Sequence, residues 1–195
     1  MSALNEIVGY LIQTALSLYL LVMLLRFLLH ASQADFYNPV SQFVVKATNP
    51  ALAPLRRLLP PVGRFDLAAL VESVLLQALG IVLLLLLNGV GLPNITLIIA
   101  WSAVGVIALL VNIYFFALLA MIILSWVAGG SRHPAILLIY QITEPVMAPV
   151  RRLLPPMGGI DFSPILVFIL INVVQIALRH VAAGIGLHPA LVMGL

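Results

Sequence analysis

Residues 48–66 read TNPALAPLRRLLPPVGRFD and residues 143–161 read TEPVMAPVRRLLPPMGGID, identical at 12 of 19 aligned positions. The offset is 95 residues in a chain of 195, just under half its length. An Arg-Arg beside a Pro-Pro, held at the same place in two hydrophobic halves, marks a membrane protein built by internal repetition. Keeping the offset without gaps extends the correspondence: Tyr19 falls on Tyr114, Asn38-Pro39 on His133-Pro134, and Gln77 on Asn172. Each half therefore reads as helix, short segment, Arg-Arg loop, helix, giving a first repeat over 1–94 and a second over 95–195.

Composition agrees. The chain is 64% hydrophobic and 8% charged, with a mean hydropathy of +1.23, far from the roughly 25% charged residues of a soluble domain. So much Leu, Ile and Val in water would leave large exposed apolar patches, which lipid removes. The net charge of +3 comes from nine dispersed bases, too few for a nucleic-acid footprint. With no cysteine there is no disulfide, thiolate metal site or cysteine nucleophile. The segment MSALNEIVGY carries an acid and no base before the first apolar run, so that run is expected to be a retained helix rather than a signal peptide.

Four stretches are long enough to cross a hydrocarbon core, which takes about 20 apolar residues as helix: 7–29, 67–87, 99–126 and 164–183. The expected fold is an all-α membrane protein of four transmembrane helices. Two crossings per half return each half to the side it entered from, so the repeats are parallel, related by an axis along the membrane normal. Seven of the nine bases, Lys46, Arg56, Arg57, Arg64, Arg132, Arg151 and Arg152, lie in the two motif loops. The positive-inside rule places those loops in the cytoplasm, and the termini and the uncharged turn at 88–94 outside. Arg179 argues mildly the other way. Before each motif runs a further segment, 39–47 and 134–143. In the first, Val40, Phe43, Val44 and Ala47 follow the i, i+3, i+4, i+7 spacing of one helix face. Both are expected to be short interfacial or re-entrant helices within the cytoplasmic loops.

Candidate functional residues concentrate in the motif. Arg56, Arg57, Arg151 and Arg152 sit among apolar neighbours, where a guanidinium can take a lipid phosphate bidentately while leucines dip into the interface. They serve either as topology anchors in contact with lipid or as a specific ligand or partner site. Pro60, Pro61, Pro155 and Pro156 stop a helix, and Gly63 and Gly158 permit the positive φ of a tight return, so the loop is stiff. Asp66 and Asp161 stand before the next apolar run, suited to capping its first amides, with ion coordination or pairing to an Arg of the same loop as the alternative. Arg26 and Glu72 lie inside predicted spans, and Met121 and Val167 hold the equivalent places. Their joint presence and joint absence suggest an ion pair at similar depth, against independent snorkelling to the interface. The four histidines fall at both ends of the spans, so no metal site is expected and no cofactor. No Ser/His/Asp order, HExxH, P-loop or dinucleotide fingerprint occurs, which argues against an enzyme. Gln13, Gln77, Asn112, Asn172 and Gln175 either tie helices together or line a permeation path.

The doubled pattern, with Pro50, Pro54, Arg56, Arg57, Pro60, Pro61, Gly63 and Asp66 in one copy and Pro145, Pro149, Arg151, Arg152, Pro155, Pro156, Gly158 and Asp161 in the other, resembles the YggT family of bacterial inner-membrane proteins, also called YlmG-like. The resemblance covers roughly 5–90 and 100–185. Departures are Glu144 where the first copy has Asn49, and Arg64 where the second has Gly159. The resemblance implies a non-enzymatic membrane protein linked to osmotic shock tolerance and potassium or ion homeostasis. Its YlmG-like relatives are linked to division-site and nucleoid organisation, and a plastid branch to maturation of a membrane cytochrome. Three classes stay open: a scaffold or assembly factor, an oligomeric ion or small-solute pathway, and a lipid-organising or division-associated factor. The expected partners are anionic membrane phospholipid, a membrane protein and further copies of the chain as a homo-oligomer.

Overall fold

Four apolar runs become four long helices: α1 (Ala3–Ala31), α3 (Leu67–Leu87), α4 (Ile95–Val127) and α6 (Ser163–Gly184). All four are long and apolar enough to cross a membrane. Between them lie two amphipathic helices, α2 (Pro39–Leu58) and α5 (Pro134–Leu153), and a 3-10 turn, Pro189–Leu191, follows α6. The computed structural model describes residues 3–128, 130–153, 161–192 and 195. Among them the only strand-like pairing is the bridge between Val62 and Phe65. Helices are what this composition requires, because a backbone in hydrocarbon must satisfy its own amides and carbonyls. Outward-facing Ile165, Ile169, Val173 and Ile176 on α6 are exposed in the isolated chain; spaced along one side of the helix, they suit lipid as solvent.

Local signals set several ends. The Asn38 side chain accepts from the Val40 amide at 2.9 Å and Pro39 follows at the first helical position, a combination that starts α2. Asn94 does the same for α4 through the Thr96 amide at 3.0 Å. Pro164 falls in the first turn of α6, where its missing N–H costs nothing.

The segment before each motif corrects the expectation of a short helix. α2 does not stop near 47 but runs on through Pro50 and Pro54 to Leu58, and α5 runs through Pro145 and Pro149 to Leu153. Each proline removes one i→i−4 bond. Four residues apart, the two prolines share one side of the helix, and that side is exposed in both α2 and α5, so the freed carbonyls are not sealed in the core. The opposite face, Ser41, Val44, Thr48 and Leu52, is buried and holds the helix by packing. The Arg-Arg pairs therefore belong to the last turns of helices, where cations complement the helix dipole, and not to loops.

The turn after α2 is short. Val62 and Phe65 exchange both backbone bonds at 3.0 Å, and Gly63 at φ +58° supplies the positive angle at the first central position of that turn. Pro60 and Pro61 precede it in non-helical backbone. Pro155, Pro156 and Gly158 lie outside the described residues.

α1 packs along α3 and α4 along α6, while α3 against α4 joins the repeats. The α3–α4 connection reverses the chain, which brings both motifs to one end of the bundle. There the repeats also touch through the starts of α2 and α5, where Asn38 Nδ2 donates to Pro134 O at 2.8 Å. Pro39 and Pro134 are equivalent at the 95-residue offset, so this contact lies near the axis relating the halves. At the opposite end the segment after α6 folds back onto the helices. Gln13 donates to Ala190 O at 3.3 Å, Gln77 to Leu191 O at 3.4 Å and Trp101 Nε1 to Ile185 O at 2.9 Å. Gln13 and Gln77 thus hold this terminal segment rather than joining long helices to one another.

Candidate functional site: a duplicated arginine–aspartate clasp

In the first repeat the return of the chain after α2 brings Asp66 back beside Arg56, ten residues earlier. Asp66 is fully buried and serves two partners. Oδ1 accepts the Ala69 amide at 3.3 Å, capping α3, and Oδ2 accepts the Arg56 guanidinium. Capping and pairing, weighed as alternatives on sequence, are both performed by one carboxylate. The hairpin is pinned to α1 by Phe65 stacked on Phe27 at 6.4 Å between centroids and by a hydrogen bond of 3.3 Å between His30 Nδ1 and Arg64 O.

Arg26 completes this site. Its guanidinium lies 5.5 Å from the Phe36 ring centroid, is 6% exposed, and stands within electrostatic range of Arg56 and Asp66. Its Nε and Nη1, and Nε of Arg56, are buried without a hydrogen-bond partner. Two guanidinium groups thus stand within electrostatic range of one carboxylate, which pairs with Arg56. The expected pair with Glu72 is not formed among the described residues. Glu72 is half-buried on α3, six residues beyond Asp66 and so about 9 Å further along the helix at 1.5 Å per residue. The carboxylate close to Arg26 is the one that caps α3.

The second repeat makes the same clasp with different surroundings. Arg151 Nε donates to Asp161 Oδ2 at 3.1 Å, again ten residues on, and Arg151 Nη1 donates to Glu144 Oε2 at 2.8 Å. Asp161 Oδ1 accepts the Ser163 amide at 2.9 Å, just ahead of α6. Burial works to raise the Asp161 carboxyl, but hydrogen bonding from Ser163 and the Arg151 guanidinium outweighs it and holds the group below the usual aspartate range. Here Asp161 is 43% exposed, where Asp66 is sealed. Met121 occupies the Arg26 position, with its sulfur 3.3 Å from Thr143 Oγ1.

In both repeats the first arginine of the pair is engaged, whereas Arg57 and Arg152 are exposed and make no ion pair among the described residues. No group of three or more His, Asp or Glu converges on a metal-sized site among those residues. Sequence reasoning passed over Thr48 and Thr143, fully buried and back-bonded to Val44 O at 2.7 Å and Ile139 O at 2.8 Å. Their signal was present, since they open the duplicated stretch.

The family model described as CCB3/YggT matches twice, over residues 5–87 and 100–182. The chain is 45% identical over 193 residues to the uncharacterized protein PA0392 of Pseudomonas aeruginosa, covering 98% of each. It is 40% identical over 192 residues to the uncharacterized protein YggT of Escherichia coli, covering 95% of this chain and 97% of that one. To an uncharacterized Vibrio alginolyticus protein from the proC 3′ region it is 42% identical over 164 residues, 83% of this chain and 87% of the other. No solved structure matches it. With the doubled motif, four spanning-length helices and a family match in each half, the chain belongs to the CCB3/YggT family of membrane proteins.

Proposed function

We propose that the protein is a non-enzymatic factor of the bacterial inner membrane that holds anionic phospholipid, and through it or beside it a membrane protein partner, at two equivalent cytoplasmic helix ends. The division of labour within each Arg-Arg carries this reading. Arg56 and Arg151 are committed to their aspartates, which fixes the last turn of each amphipathic helix. Arg57 and Arg152 stay exposed, each followed by an exposed leucine, Leu58 at 79% and Leu153 at 75%. A free guanidinium beside a leucine free to enter acyl chains is the arrangement by which an interfacial helix grips a phosphate headgroup. Contribution to osmotic stress tolerance and ion homeostasis follows if these grips organise envelope lipid or scaffold a partner.

The intramembrane polar residues favour this over a solute pathway. Gln13 and Gln77 are spent on the terminal segment, Asn172 Nδ2 returns to Phe168 O of its own helix at 2.8 Å, and Gln175 donates to Asn112 at 2.8 Å.

The test is the Arg57→Gln/Arg152→Gln protein. Purified with native lipid, it should insert and fold as the parent does while retaining severalfold less phosphatidylglycerol, and the parent's preference should weaken with salt. Retention equal to the parent's removes the lipid reading. In a deletion strain the same variant should fail to restore growth after an osmotic shift. Because the chain lacks cysteine, single cysteines at positions 58 and 90 report orientation by one-sided labelling; labelling of position 58 from outside alone overturns the cytoplasmic placement.

A further inference from the structure

The two clasps differ in charge and in what fills the space beside them. In the first repeat Arg26 and Arg56 face Asp66, two positive groups and one negative, a formal +1. In the second, Arg151 faces Glu144 and Asp161, one positive and two negative, a formal −1. The exchange comes from two positions at the repeat offset: Arg26 becomes Met121, and Asn49 becomes Glu144. Beside Met121, which aligns with Arg26 at the repeat offset, the second repeat has a cavity of about 430 Å³ lined by Met121, Ser125, Trp126, Tyr140, Arg151 and Asp161.

We propose that this cavity binds an organic cation, the primary ammonium of a zwitterionic phospholipid headgroup. The first repeat carries a cation of its own chain within electrostatic range of its aspartate; the second presents the equivalent aspartate, one carboxylate in excess, and space instead. An ammonium beside Asp161 brings the site to neutrality, and the lining includes two aromatic residues, Trp126 and Tyr140, of the kind that attract such a group. The volume lies in the range of small-molecule sites, about 300–1,000 Å³. The lining names lipid over a soluble amine. Ile165 of α6 also borders the cavity, is 58% exposed, and begins the apolar row that continues through Ile169. A headgroup seated at Asp161 can lay its acyl chains along that row. This goes beyond the anionic-lipid grip at Arg57 and Arg152, since it concerns one repeat only and the opposite charge.

The test is native mass spectrometry of the full chain, delipidated in detergent and titrated with phosphatidylethanolamine, phosphatidylglycerol or soluble phosphoethanolamine. Expected is saturable binding of phosphatidylethanolamine that falls at least tenfold in Met121→Arg, which imports the first repeat's internal cation, and in Asp161→Asn. Arg26→Met should leave it unchanged. Undiminished binding in both Met121→Arg and Asp161→Asn overturns the site, as does phosphatidylglycerol binding that responds identically to these substitutions. Soluble phosphoethanolamine binding as tightly as the lipid overturns the lipid occupant and assigns the cavity to a free organic cation. Should Met121→Arg not fold, Glu144→Gln/Asp161→Asn supplies a test that changes charge without volume. Failure of the anionic-lipid reading would appear in Arg57→Gln/Arg152→Gln with phosphatidylglycerol and would leave these outcomes as they are.

Discussion

The same substitution placed in the two clasps should have unequal consequences. Asp66→Asn keeps a good helix cap, because Asn serves nearly as well as Asp at that position, and the Ala69 amide retains its acceptor. What it removes is the charge that pairs with Arg56 and lies within electrostatic range of Arg26. Arg26 is 6% exposed, and the Arg56 side chain 26%, so the variant leaves one cation sealed and another half-sealed with no counterion. Breaking a buried pair by deleting one partner costs about 3–5 kcal/mol, and the partial exposure of Arg56 puts the expectation near about 3 kcal/mol, toward the low end of that range. Asp161→Asn acts on a pair whose partners are 39% and 43% exposed, and Arg151 keeps Glu144. An exposed pair is worth about 0.2–1 kcal/mol. For a chain of this size about 1 kcal/mol moves the melting temperature by roughly 2–4 °C. Thermal unfolding in detergent, followed by tryptophan emission, should therefore show a loss of about 6–12 °C for Asp66→Asn and under about 4 °C for Asp161→Asn. Arg26→Met, which copies the second repeat, should restore part of the loss in the double variant. Equal shifts at the two aspartates, or no recovery on removing Arg26, would refute the picture of two cations within range of one carboxylate.

Other consequences are equally open to measurement. The Asp161 carboxyl is held below its usual range, so its pairing contributes stability that is present above the unfolded pKa, about 3.9, and is lost as pH falls through the lower folded value; the melting difference between parent and Asp161→Asn should be constant from pH 7 to 5 and close below about pH 4. Gly63→Ala meets no atom within 4 Å but must adopt φ +58°, so it should cost about 1–2 kcal/mol in the same assay, with Gly63→Asn costing less. Gly105→Ala would place a Cβ 2.9 Å from Val192 Cβ and Cγ1, so it should lift the segment after α6 and speed its proteolysis, and Val192→Gly in the same chain, which removes both atoms, should slow it again.

How far these features could be read beforehand depends on their range along the chain. The four spans were legible because an apolar run of about 20 residues reports one local fact, the thickness of hydrocarbon, and α3 matches its expected limits at Leu67 and Leu87. The course of α2 was not, because Pro50 and Pro54 read as breakers when taken singly. Their effect depends on which face they occupy, and the packing of Val44, Thr48 and Leu52 beneath them decides it. The clasp had its spacing in plain view, ten residues from Arg to Asp in both copies. Yet whether a carboxylate caps, pairs or does both depends on how tightly the chain returns, and at Asp66 that is settled by Gly63 and the Val62–Phe65 bonds.

Arg26 and Glu72 form no ion pair among the described residues. Both charges are missing from the second half, but absence from the same repeat does not make two residues neighbours. The site shows a different exchange. Where Arg26 gives way to Met121, the accompanying change stands at Asn49, replaced by Glu144, a position on α2 and α5 rather than on α3. A guanidinium lost and a carboxylate gained both act on the same arginine–aspartate clasp and move its charge in one direction, from +1 to −1. The duplication supplies a common clasp that fixes the helix ends; the divergence around it gives the two copies opposite formal charge. A single symmetric role for both repeats accounts for Arg57 and Arg152 but leaves Arg26, Glu144 and the cavity at Asp161 without a reason.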